Sequence, residues 1–122
     1  MQYDRIFIGA GLICLLAGLS VGLWFMTPMG GNLSLLPSHV HINLLGWATL
    51  ALYGLIHRAY PKLGDSRLAK VQLFLAIAGA FALPLGFGLP RGSPAHIPLI
   101  AIGAFSGYLG AILFTVMYLR SR

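Results

Sequence analysis

Four stretches of this chain stay apolar for about 20 residues each, the length a helix needs to cross a bilayer, and turn-forming residues separate them. That pattern predicts an all-α integral membrane four-helix bundle, because only helices satisfy their own backbone groups in lipid without closing a barrel. The composition agrees: 58% of residues are hydrophobic and 8% charged, with a mean hydropathy of +0.87, whereas soluble domains carry about 25% charged residues. With 122 residues, four spans and their loops use the whole chain, so residues 1–122 are read as one domain without a soluble part.

The first helix is expected over 6–26, ended by the turn-rich segment Thr27 to Pro37 with Pro28, Gly30, Gly31 and Asn32. Its start, "MQYDR", is not a clean basic leader, the run is too long for a signal-peptide core, and no small-x-small cleavage site follows, so it is expected to stay attached. The second helix is expected over 38–59, with Ser38 as N-cap after Pro37 and Pro61 as its stop. The third is expected over 68–89, where Pro84 and Pro90 predict a kink or fraying at the far end. The fourth is expected over 95–119, with Pro98 in the first turn, where a missing N–H does no harm.

Arg5, Arg58, Lys62, Arg67, Lys70, Arg120 and Arg122 fall on one side of this layout and Arg91 on the other. Basic residues are retained on the cytoplasmic side, which places both termini there. The formal charge of +6 then reflects topology and attraction to anionic headgroups, and no nucleic-acid-binding element accompanies it. Cys14 is the single cysteine, which excludes a disulfide framework and a Cys-x-x-Cys-His haem attachment; it is read as a packing residue. Asp4 and Asp65 are the only carboxylates. Both lie in the cytoplasmic flanks, so one chain builds neither a carboxylate dyad nor an acidic proton relay.

The histidines remain. His39 and His41 open the second helix and His96 opens the fourth, so the three share a depth and can share a site if those helices are neighbours. His57 lies about 24 Å further along and reads, beside Arg58, as an interfacial residue. Two residues apart, His39 and His41 point about 200° from one another on an α-helix and therefore serve different faces. Asn43, Gly46, Leu50 and Tyr53 share the His39 face; Leu45, Ala48 and Leu52 share the His41 face. Such faces suit a flat macrocycle or a close helix neighbour. A lone His-x-His near headgroup level also suits plain hydrogen bonding, while imidazole accepts haem iron, copper or zinc alike, and ionisable residues inside a membrane are functional candidates.

The stretch "PSHVHINLLGWATLALYGLIHRAYP" resembles the histidine-bearing helices of subunit I of the haem–copper oxidase superfamily, which includes the nitric oxide reductases. It is more similar still to short, four-helix, subunit-I-like membrane proteins that open helix 2 with His-x-His-x-Asn-Leu-Leu-Gly-Trp, matched here by His39, His41, Asn43, Leu44, Leu45, Gly46 and Trp47. Subunit I arranges three four-helix arcs with pseudo-threefold symmetry, and its His-x-His helix ligates two haems, one on each face. The resemblance therefore implies a homotrimer that mimics one such subunit and binds haem b, with Asn43, Gly46 and Trp47 beside the cofactor; the opposed faces of the two histidines add the expectation that haem lies between protomers, with His39 of one and His41 of the next as axial ligands. It also implies a bacterial inner membrane location and a quinol or cytochrome electron donor. Gly18-x-x-x-Gly22 and Gly103-x-x-x-Gly107 allow close helix approach, within a protomer or between protomers.

The chain departs from the family in lacking a His-Pro-Glu-type helix, an adjacent His-His pair and an acidic or lysine-bearing proton channel, so pumping coupled to oxygen reduction is not expected from it alone. His96 is read either as a hydrogen-bonded residue of the "SPAH" turn or as a further ligand. Tyr3 and Trp24 read as interface anchors, Met26 and Met29 as loop or packing residues, and Trp47 and Tyr53 as helix packing or a cofactor wall. Three functional readings follow. The first is a haem b protein for electron transfer or for binding and reduction of a diatomic gas, NO or oxygen, with an oxidoreductase activity of oxidase or nitric oxide reductase type. The second is a copper or zinc site of His39, His41 and His96 for metal handling or oxidase assembly. The third is a structural accessory subunit.

Overall fold

A computed structural model of the protein describes residues 2–30 and 33–121. Gly31 and Asn32 of the first turn and Arg122 of the basic flank lie outside the described residues.

Those residues form four helices long and apolar enough to cross a membrane: α1 (Tyr3–Phe25), α2 (Leu36–Ala59), α3 (Leu68–Gly88) and α4 (His96–Arg120). Each bound falls within three residues of the sequence expectation. Prolines set several of the ends. Tyr60 and Leu89 leave helical backbone immediately before Pro61 and Pro90, because a following proline ring disfavours the α region. The Ser66 hydroxyl accepts the Leu68 backbone N–H at 3.2 Å, satisfying one of the donors that the start of α3 leaves free.

Two expectations need correction here. Ser38 does not cap α2, which starts at Leu36 with Pro37 in its first turn; its hydroxyl instead donates to the carbonyl of Pro84 on α3. And α3 does not fray at Pro84 but continues helical to Gly88. Pro84 is buried, and the packing around it sustains a helix that the proline would weaken in isolation.

The helices pair as two antiparallel hairpins, α1 with α2 and α3 with α4, with α2 and α3 joining them. In lipid, apolar surface gives helices no reason to prefer each other over acyl chains, so small residues that permit close packing decide the contacts. On α3 and α4 a Cβ placed on Gly79 would stand 2.6 Å from the backbone nitrogen of Gly107, so these two backbones come this close because residue 79 is glycine. A core of Phe7, Leu50, Leu73, Ala76 and Ala80 ties α1, α2 and α3 together. A second cluster of Leu63, Ala69 and Met117 closes the end that carries Gln2 and Ser121. Six of the seven basic residues expected on one side gather at that end, with Arg91 at the other.

Candidate functional site

α2 is not α-helical throughout. After Leu36–His41 it widens into a π-helix over Ile42–Thr49 and returns to α over Leu50–Ala59. The Thr49 hydroxyl follows the wider turn and donates to the carbonyl five residues back, Leu44, at 2.9 Å. Stretches of this kind occur often at functional sites, and this one starts directly after His41.

His39 faces α1. Its Cε1 is 3.2 Å from where a Cβ on Gly22 would stand, and its ring meets Phe25 edge-on with centroids 5.5 Å apart. One turn on, Asn43 fills the space over Gly18, where an added Cβ would stand 2.6 Å from both amide heteroatoms. The Asn43 amide donates to the His39 carbonyl at 2.8 Å and lies 3.5 Å from His39 Nδ1, at the limit of hydrogen bonding. Gly46 is buried against Cys14, and Trp47 packs over Gly11. The face that the sequence left open to a macrocycle or a helix neighbour is thus occupied by α1, and Gly18-x-x-x-Gly22 serves packing within the protomer. Gly103 and Gly107 do the same, against Leu83 and against Gly79 and Leu45.

His41 faces the other way. Its ring stacks on Phe87 of α3, centroids 4.9 Å apart and planes 28° apart, and its Nδ1 is 2.7 Å from the Pro37 carbonyl. A carbonyl only accepts, so Nδ1 carries the proton and Nε2 keeps a free lone pair, the arrangement that orients histidine as a metal ligand. The ring lines a groove of about 490 Å³ between α2 and α4, together with leucines of α2 and Leu83 of α3, the small Ala48, Ala104 and Gly107, and the hydroxyl-bearing Thr49 and Tyr108.

His96 is fixed in the same manner, with Nδ1 2.9 Å from the Gly86 carbonyl, and it lines a separate cavity with Ser34, Phe87 and Arg91. His39, His41 and His96 therefore share one end of the bundle. Among the described residues no three His, Cys, Asp or Glu side chains converge to hold an ion, because His39 and His41 open onto opposite faces.

His57 is not interfacial but buried, 5% exposed. Tyr3, expected as an interface anchor, stacks on its ring, as does Phe7. Tyr53 packs between Phe7 and Phe114 as a helix-packing residue. Of the two carboxylates, Asp65 is exposed and Asp4 pairs with Arg58 at 3.1 Å. Met26 and Met29 are exposed loop residues and Trp24 is partly exposed at the end of α1.

Compared with models of known families, with curated proteins and with solved structures, the chain matches none.

Proposed function

We propose that this chain is a haem b-binding integral membrane protein of haem–copper oxidase-like type, serving electron transfer or the binding and reduction of a diatomic gas. The observation that carries the reading is His41: an imidazole with its proton held on Nδ1 by Pro37 and its lone pair free, beside a largely apolar groove lined by leucines and by the small Ala48, Ala104 and Gly107. The donor is right for haem iron, and a groove of about 490 Å³ with a largely apolar lining beside it is where a flat macrocycle would lie. Haem held there would supply one-electron redox chemistry or a place for NO or oxygen. Phe87 holds the His41 plane, Pro37 holds its tautomer, and the leucines lining the groove would keep water from a bound haem.

His39 fits this role less directly. Paired with His41 of a neighbouring protomer in a homotrimer, it would first have to rotate off Gly22, whereas His41 needs no rearrangement. With His39 in its seat, His41 alone would hold the haem and gas chemistry would be favoured; with His39 recruited, the two histidines would hold it together and electron transfer from a quinol or cytochrome donor would be favoured. In this reading the termini are cytoplasmic, as the distribution of basic residues suggests.

Haem titration of the detergent-purified chain tests the proposal. His41→Ala is expected to weaken binding at least about tenfold, or about 1.4 kcal/mol. A His39→Ala variant that binds as the original does supports the one-ligand arrangement, and one that loses as much as His41→Ala supports the intersubunit pair. Binding unaffected by His41→Ala overturns the proposal.

A further inference from the structure

Arg91 is the one basic residue at its end of the bundle. Asp4 and Asp65 are the chain's only acidic side chains, and both lie at the opposite end, where Asp4 already pairs with Arg58. No acidic side chain therefore reaches the Arg91 guanidinium, which lines a cavity of about 570 Å³ with Ser34, Pro37, Phe87 and His96. His96 holds its Nδ1 proton on the Gly86 carbonyl at 2.9 Å, which leaves Nε2 as the acceptor of the ring. The cavity thus offers a cation and neutral polar groups, at the depth where a spanning helix meets the headgroups. A second cavity borders it, a groove of about 310 Å³ between α1, α2 and α3 that shares Leu35, Gly88 and Leu89 with the first. Val21, Ile42, Phe81 and Leu85 give this groove apolar walls, and its one polar side chain, Ser38, donates to the Pro84 carbonyl. From Gly88 back to Ala80 it follows α3 away from Arg91 and into the span, over about 12 Å at the rise of a helix.

We propose that these two bordering cavities hold one anionic phospholipid, its phosphate on Arg91 and an acyl chain in the groove between Val21, Ile42, Phe81 and Leu85. A guanidinium pairs with phosphate through two parallel hydrogen bonds, and the phosphate supplies the counter-charge that the chain itself does not place at this end. A soluble anion would use the polar cavity alone; the apolar groove beside it, directed into the span, assigns the charge to a lipid. A zwitterionic headgroup carries its own ammonium to compete with Arg91 for the phosphate, whereas a glycerol headgroup leaves the phosphate to Arg91 and brings a hydroxyl donor for His96 Nε2. The basic residues of the other end attract anionic lipid as a charged surface. The Arg91 site differs in having one cation and a shaped cavity. This inference stands apart from the haem reading and uses neither His39 nor His41.

The test is native mass spectrometry of the full chain in detergent, titrated with phosphatidylglycerol and, separately, with phosphatidylcholine of the same acyl chains. The expected result is one phosphatidylglycerol bound more tightly than any further copy and more tightly than phosphatidylcholine. Arg91 is exposed in its turn, so Arg91→Gln leaves the packing of the bundle alone; it should weaken the first binding event about fivefold, the share of one basic residue near an anionic surface. Arg67→Gln, at the other end, should leave that event unchanged. Val21→Trp, which fills the groove, should weaken it with Arg91 in place, and Leu85→Trp serves the same purpose if Val21→Trp does not assemble. Glycerol phosphate, which has the headgroup chemistry without acyl chains, should not displace the lipid. Equal affinity for the two lipids, a first event indifferent to Arg91→Gln or to the filled groove, or one weakened as much by Arg67→Gln, overturns the proposal. Displacement by glycerol phosphate overturns it too, in favour of a site for a soluble anion.

Discussion

His41 stacks on Phe87 across the α2–α3 boundary, 4.9 Å between centroids, while the same ring is tied to Pro37 through Nδ1. Two independent contacts thus fix the plane and the tautomer of one imidazole lining a largely apolar groove. His39, two residues earlier, is held by α1 instead. The His-x-His pair therefore divides between two tasks, with His39 part of the bundle's packing and His41 presented to the groove.

Phe87→Ala removes the stack but leaves the Pro37 contact. An aromatic pair contributes about 0.5–1.5 kcal/mol beyond its buried area. Haem affinity is expected to fall about twofold to tenfold, with the absorption bands of the residual complex broadened as the imidazole gains freedom. Titration monitored in the Soret region measures both.

Gly18→Ala puts a methyl where the Asn43 amide now lies. Overpacking of this kind costs about 1–3 kcal/mol, to be read as a lowered midpoint in detergent unfolding. Asn43→Ala in the Gly18→Ala background should recover part of the loss, because the two changes share one space and are not additive. Equal and additive losses would show that Asn43 does not occupy that space.

Ser38→Ala tests the link between the two hairpins. The hydroxyl donates to the Pro84 carbonyl, and a hydrogen bond of this type contributes about 0.5–1.5 kcal/mol net. Stability should fall by about that amount. A loss this small is too little to unfold the protein, so the helical circular dichroism signal of the native state stays unchanged.

The spans were legible because bilayer thickness fixes helix length, and a run such as Ile6 to Met26 has no alternative in lipid. The opposed directions of His39 and His41 were legible for the same geometric reason, since they lie two residues apart on a helix. The π-helix at Ile42–Thr49 was not: one additional residue per turn leaves no mark in composition, and neither proline nor an unusual residue run announces it. Ser38 misled because a serine after proline looks like a cap, and only the packing of α3 against α2 shows that its hydroxyl is used elsewhere. His57 misled because its neighbour Arg58 is exposed; the signal that could have corrected the reading was Gln72, a lone amide inside the apolar run of α3, which needs a polar neighbour in lipid.

The central claim, that His41 presents its free nitrogen to haem iron, is tested most directly by the oxidised and dithionite-reduced absorption spectra of protein purified from haem-replete cells, alongside its His41→Ala variant. The account predicts a Soret band with b-type reduced bands in the original protein and their loss in the variant. A colourless protein from such cells, or a spectrum that survives the loss of His41, would contradict it.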